Sequence, residues 1–139
     1  MTLAFLGWTQ ESKVESIGEA VAGCAAPVPG LALGDPSWLP PKAPRVLAID
    51  LADGDGALAA LQGRVAAAMA SAAGFEPEKR PFRPHVTVAR TRRGTRLRRP
   101  RELSPPRALE FSGEALTLYR SRLGAGGARY EALRRLPLG

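Results

Sequence analysis

The only histidine of the chain, His85, stands two residues before Thr87 in the run HVTVAR, residues 85–90. A β-strand places alternate side chains on one face, so imidazole and hydroxyl would project together, ~6.5–7 Å apart along the chain. A phosphate group fits that interval. The imidazole can trade a proton with an attacking or leaving oxygen, and the hydroxyl can donate to a non-bridging oxygen. Val86 and Val88 would then point the other way, into a core. A histidine and a threonine on a half-buried strand is also an ordinary structural pairing, and H-x-T by itself is a weak pattern. Its surroundings favour chemistry: in RPFRPHVTVAR the pair sits beside Arg83 and Arg90, and a basic stretch follows directly. Strict alternation puts Arg90 on the face opposite His85, so it joins the pair only if the strand bulges or twists at its end. As a plain solvated arginine it needs neither.

The elements that would hold this strand can be read from periodicity. Residues 2–7 (TLAFLG) read as a short apolar strand closed by Gly7. Ser12 and Glu15 have the spacing of a capping box, and Val14, Ile17, Val21 and Cys24 recur at helical intervals until Pro27. Residues 27–44 are rich in Pro and Gly, with Leu31, Leu33, Trp38 and Leu39 suggesting an irregular strand. RVLAIDL (45–51) is a strand, and Asp53 or Asp55 can cap the helix that runs from about Gly56 to Ala73. On that helix Leu58, Leu61, Val65, Met69 and Ala72 share one stripe, and Gly74 stands where a left-handed stop belongs. HVTVAR is entered through Pro84, and ALEFSGEALTLYR and GARYEALRRLPL form two closing strands around the turn LGAGGA. Two helices against mostly antiparallel strands, with no boundary or repeat, indicate one α+β domain over residues 1–139.

Composition narrows the partners. The chain has 139 residues and a net charge of +7, with a pI near 10.7, which favours polyanions. Residues 79–107 hold eleven Lys or Arg and one acid, a net of +10 that leaves −3 for the rest. Arg92, Arg93, Arg96, Arg98, Arg99 and Arg101 in that stretch read either as a phosphate-attracting loop or as a solvated charge run. Cys24 is the only cysteine, so an internal disulfide cannot form, a thiol-ligated zinc site is not expected, and a reducing cytoplasm is the natural setting. On its apolar helix stripe Cys24 reads as core. No run reaches the ~20 apolar residues of a membrane span. The opening MTLAFLGW has neither the basic leader nor the long apolar stretch of a signal peptide. Trp8 and Trp38 could stack on bases, with packing as the plainer reading.

The H-x-T segment resembles the second motif of the 2H phosphoesterases, in the branch of bacterial and archaeal RNA 2′,3′-cyclic phosphodiesterases also labelled 2′-5′ RNA ligases. That branch writes the motif F-x-P-H-x-T-L-A-R, and Phe82, Pro84, His85, Thr87, Ala89 and Arg90 stand in those places, with Val88 for Leu. Its first motif, H-x-T-L-x-F-L-G, is similar to Met1-Thr2-Leu3-Ala4-Phe5-Leu6-Gly7, with Met1 at the variable position. LYRSRLGAGGARYEAL resembles the branch's closing hairpin, so the similarity covers the whole chain. On this alignment the first motif's histidine falls just before residue 1. The chain is therefore expected to lack an N-terminal segment of roughly 25–40 residues, through a misassigned gene start or a shortened gene. In that case Leu3, Phe5, Val14, Ile17 and Val21 would lose part of their cover.

The resemblance implies a bilobal α+β fold, with two antiparallel sheets and flanking helices around a groove, one lobe being incomplete. It implies hydrolysis of RNA 2′,3′-cyclic phosphate ends to 2′-phosphates without metal or other cofactor, and weak 2′-5′ joining in reverse. By family role His85 is the base that activates water, Thr87 and Thr2 bind the phosphate oxygens, and Arg90 helps to hold the phosphate. RNA ends, tRNA halves and small cyclic nucleotides are the implied partners, with no membrane. With one histidine where the family uses two, activity of these 139 residues would be impaired. A non-catalytic module that holds RNA ends, and an inactive remnant, are the rival readings.

Overall fold

The computed structural model describes residues 1–91, 102–125 and 127–139. Two helices, α1 (Val14–Ala22, after a single 3-10 turn at Glu11–Lys13) and α2 (Ala57–Ala73), accompany six strands. These are β1 (Leu31–Leu39), β2 (Val46–Asp53), β3 (His85–Arg90), β4 (Glu110–Phe111), β5 (Ala115–Gly124) and β6 (Gly127–Pro137). They make a four-stranded sheet in the order β3-β2-β1-β4 and a two-stranded sheet of β5 and β6, with every neighbouring pair antiparallel. Among the described residues no helix is long and apolar enough to cross a membrane.

The α2 stripe drives the packing. Leu58, Leu61, Val65 and Met69 are buried at the 3.6-residue period, together with Leu31 of β1 and Leu51 of β2. Asp53 and Asp55, offered as alternative caps, both bond the first turn of this helix, which follows Gly56. Asp53 accepts from the backbone N–H of Leu58 at 3.0 Å and of Ala59 at 2.8 Å, and Asp55 accepts from Ala57 at 3.2 Å. Gly74 stops it at φ 72°, where a side chain would be strained, and its N–H returns to the Ala70 carbonyl. Ile17, Val21 and Cys24 of the α1 segment enter the same core, and Leu116 and Leu138 tie the β5–β6 hairpin to it. Burial also pushes the Cys24 thiol above its ordinary pKa.

Four local expectations fail, each for a physical reason. Residues 2–7 form no strand, because neither sheet offers them a ladder; instead Leu3, Ala4 and Leu6 pack against the core and Gln62 Nε2 donates to the Leu3 carbonyl at 3.4 Å. Ser12 and Glu15 make no capping box: the 3-10 turn occupies residues 11–13, and α1 starts after Lys13 without a side-chain cap. Ile17 and Val21 are fully covered, while Phe5 is 75% exposed. Trp8, expected to pack, is 87% exposed on the same unpaired N-terminal segment, whereas Trp38 is half-buried on β1. The irregular strand foreseen within 27–44 is present: β1 runs for nine residues with one bulge between Leu33 and Pro36.

Candidate active site

Among the described residues, strand β3 lies at the edge of the four-stranded sheet, entered through Pro84 and paired only with β2. The pairing sets His85 opposite Asp50, Val86 opposite Ile49 and Thr87 opposite Ala48, then skips to Ala89 opposite Leu47 and Arg90 opposite Val46. Val88 is the extra residue of a β-bulge. Because β2 alternates regularly from Val46 to Asp50, the partners of 46, 48 and 50 share its face. That face carries His85, Thr87 and Arg90 together. The sequence required a bulge or twist at the strand end to place Arg90 there, and the register supplies a bulge at Val88, two residues before it. The same bulge corrects the reading of Val88: Val86 packs against the core, but Val88 is 55% exposed.

The imidazole is held in a defined state. His85 Nδ1 lies 2.8 Å from the Arg83 carbonyl oxygen. A carbonyl only accepts, so Nδ1 carries the hydrogen, and in the neutral ring Nε2 is left with its lone pair. That nitrogen can take a proton. Thr87 and Arg90 on the same face offer one neutral and one permanently charged donor, a combination suited to phosphate oxygens.

Arg83 takes a different part. Its Nε donates to Asp50 Oδ1 at 3.0 Å and its Nη2 to Asp50 Oδ2 at 2.7 Å, a two-pronged ion pair, while Nη2 also donates to Ser37 Oγ at 3.0 Å. With the two side chains 47% and 33% exposed, the pair adds at most about 1 kcal/mol to stability. Asp50 and Ser37 escaped the sequence reading because an acidic residue in RVLAIDL looks like a solvent-facing strand position. The alternation of β2 was the available signal: Asp50 falls on the face of Ala48, away from Leu51. Gly34 also belongs to this arrangement, since a Cβ there would come within 3.2 Å of the Asp50 carbonyl oxygen.

The remaining residues singled out by sequence are not gathered here. Thr2 is exposed in the segment before α1, in no strand. The arginines from Arg92 to Arg101 lie outside the described residues. A groove of about 400 Å³ bordered by Phe5, Trp8, Lys13, Phe75 and Glu76 shares no residue with the His85 face and carries no charged pair suited to a phosphate. The described residues gather no group of His, Cys, Asp and Glu able to hold a metal ion.

Comparison with known proteins bears on this strand. A family model for the 2′-5′ RNA ligase superfamily matches residues 1–125. An RNA 2′,3′-cyclic phosphodiesterase of Geobacillus stearothermophilus is 32% identical over 143 residues, covering 99% of this chain and 45% of the relative. One from Aeropyrum pernix is 35% identical over 91 residues, covering 65% of this chain and 51% of the relative. The chain thus spans about half the length of these relatives. Among solved structures, Escherichia coli LigT complexed with 3′-AMP superposes with a TM-score of 0.75 at 25% identity, over 98% of this chain and 74% of that one. TT0787 of Thermus thermophilus gives 0.69 at 26% identity, over 98% and 75%. The α+β fold with its two antiparallel sheets is therefore that of the LigT-like phosphoesterases. The H-x-T strand, its sheet and the model match over residues 1–125 agree, and the chain belongs to the 2′-5′ RNA ligase superfamily of 2H phosphoesterases.

Proposed function

We propose that the His85 face acts on the 2′,3′-cyclic phosphate at an RNA end and opens it to a 2′-phosphate without a metal ion. The observation that carries this reading is the 2.8 Å contact of His85 Nδ1 with the Arg83 carbonyl, which leaves Nε2 of the neutral ring free on the face shared with Thr87 and Arg90. The names of the two relatives and the nucleotide bound to the LigT neighbour support it. In the reaction a water oxygen bonds to phosphorus while Nε2 takes its proton. The bond from phosphorus to the 3′-oxygen breaks, and that oxygen leaves with the electron pair. Thr87 and Arg90 donate to the non-bridging oxygens as charge gathers on them. The 3′-oxygen needs a proton from a second acid, a role that the family resemblance gives to a first-motif histidine accompanied by Thr2.

His85 is the only histidine of the 139 residues, so the chain supplies one half of the proton transfer. That observation favours a second reading, in which these residues hold a cyclic end without opening it. One assay separates the two. The protein is mixed with an oligoribonucleotide bearing a 2′,3′-cyclic phosphate, in excess EDTA, and both retention and the end group are followed. Conversion to a 2′-phosphate supports hydrolysis, and retention without conversion supports the holding module. A rate that vanishes with the chelator and returns with a divalent ion would remove the metal-free mechanism, and neither retention nor conversion would remove both readings. tRNA halves and small 2′,3′-cyclic nucleotides are the substrates to compare.

A further inference from the structure

We propose that Asp50 and Ser37 are positioning residues for His85, acting through Arg83; the inference rests on the reading of His85 as a base. Among the described residues the imidazole has one hydrogen-bond acceptor, the Arg83 carbonyl at 2.8 Å. That carbonyl precedes β3, so no ladder bond of the strand fixes it. Two things do. On the backbone, the Leu51 N–H donates to the Pro84 carbonyl at 3.0 Å. On the side chain, the Arg83 guanidinium is clamped by both oxygens of Asp50, at 3.0 and 2.7 Å, and by Ser37 Oγ at 3.0 Å.

The guanidinium is planar and its donors form a rigid fork, so a two-pronged carboxylate fixes its plane as well as its position. Asp50 then acts at both ends of the same short segment. Its backbone pairs across from His85, and its carboxylate holds the residue whose carbonyl holds the ring. Ser37 reaches the cluster from β1, with Oγ 3.4 Å from Asp50 Oδ1. The bulge between Leu33 and Pro36 and the bare Cα of Gly34 let β1 come close to Asp50. With its charge matched by Asp50, Arg83 is committed to orientation, and phosphate contact falls to Arg90.

The test uses tag-free protein labelled with ¹⁵N in histidine, in which every imidazole signal belongs to His85. At a pH where the ring is neutral, the wild type should show Nδ1 protonated and Nε2 bare. Asp50→Asn and Arg83→Lys, which remove the two-pronged pairing, should release the ring into a mixture of tautomers, and Asp50→Glu should restore much of the order. Ser37→Ala should give a smaller shift in the same direction. With a cyclic phosphate substrate, Asp50→Asn should lower kcat by about 10- to 100-fold while KM stays within about twofold.

A tautomer that stays fixed in Asp50→Asn and Arg83→Lys overturns the inference whatever the activity, and so does a shifted tautomer with an unchanged kcat. A lower KM in Asp50→Asn would show instead that the freed guanidinium binds phosphate, and would also overturn it. If Asp50→Asn fails to fold, Arg83→Lys and Ser37→Ala decide the matter. If the tautomer shifts as expected but the wild type does not turn over cyclic ends, the functional reading fails while the positioning stands.

Discussion

The two sheets of this chain are held by different means. In the four-stranded sheet β2 is paired on both sides, one face rests on α2, and the register follows from which residues must be buried. The β5–β6 sheet has only its own two strands among the described residues, a setting in which hairpins have little independent stability. Leu116 and Leu138 anchor its base, but Leu123 is 89% exposed, and Tyr119 and Tyr130 meet edge to face at 6.3 Å on a surface open to solvent. The candidate site lies on the first sheet. Its residues must hold a hydrogen-bond geometry, and the lesson of the contrast is that a sheet whose register is set by burial can provide that.

The largest effect should come from the site strand itself. His85→Ala removes the proton acceptor and should lower kcat by about 10²–10⁴-fold with an unchanged circular dichroism spectrum. Loss of activity accompanied by loss of structure would instead make His85 a packing residue. Next comes the core beneath it. Leu61→Ala, at a residue 1% exposed, should cost about 2–5 kcal/mol in urea unfolding, and a cost below 1 kcal/mol would mean that α2 does not fix the sheet.

Thr87→Ala should remove one hydrogen bond to a charged oxygen, about 1.5–3 kcal/mol of transition-state binding, visible in kcat/KM. Arg90→Ala should weaken substrate binding, whereas deletion of Val88 should largely preserve it, because removing the bulge residue leaves Arg90 opposite Val46 by strict alternation, still on the face of His85. A loss in the deletion as large as that of Arg90→Ala would show that the phosphate contact needs the bulged backbone as well as the right face. The smallest effect belongs to the other sheet: Leu123→Ala should change stability by no more than about 0.5 kcal/mol. A change of several kcal/mol would show that the hairpin is as deeply built into the core as α2.

Much of the first sheet was legible in the sequence because pattern and packing agree there. The α2 stripe, its aspartate caps, Gly74 and the bounds of HVTVAR all follow from local chemistry that the tertiary structure leaves in force. The motif residues His85, Thr87 and Arg90 could be named, but the face Arg90 occupies could not, because alternation carries no mark of a bulge. Residues 2–7 have strand composition and no strand, since a ladder requires a second chain segment that composition cannot reveal. The Asp50–Arg83–Ser37 cluster joins positions 33 and 46 residues apart, a relation visible only after β1, β2 and the approach to β3 are laid side by side.

The bulge at Val88 also bears on any attempt to transplant this site. A designer who copied His, Thr and Arg at the spacing of residues 85, 87 and 90 onto an ideal strand would carry over every functional group. The arginine would nevertheless emerge on the wrong side of the sheet. The portable unit is therefore a stretch of backbone with its irregularity included. Sequence variants that lengthen or shorten β3 by one residue between Thr87 and Arg90 should be judged by phase before they are judged by identity.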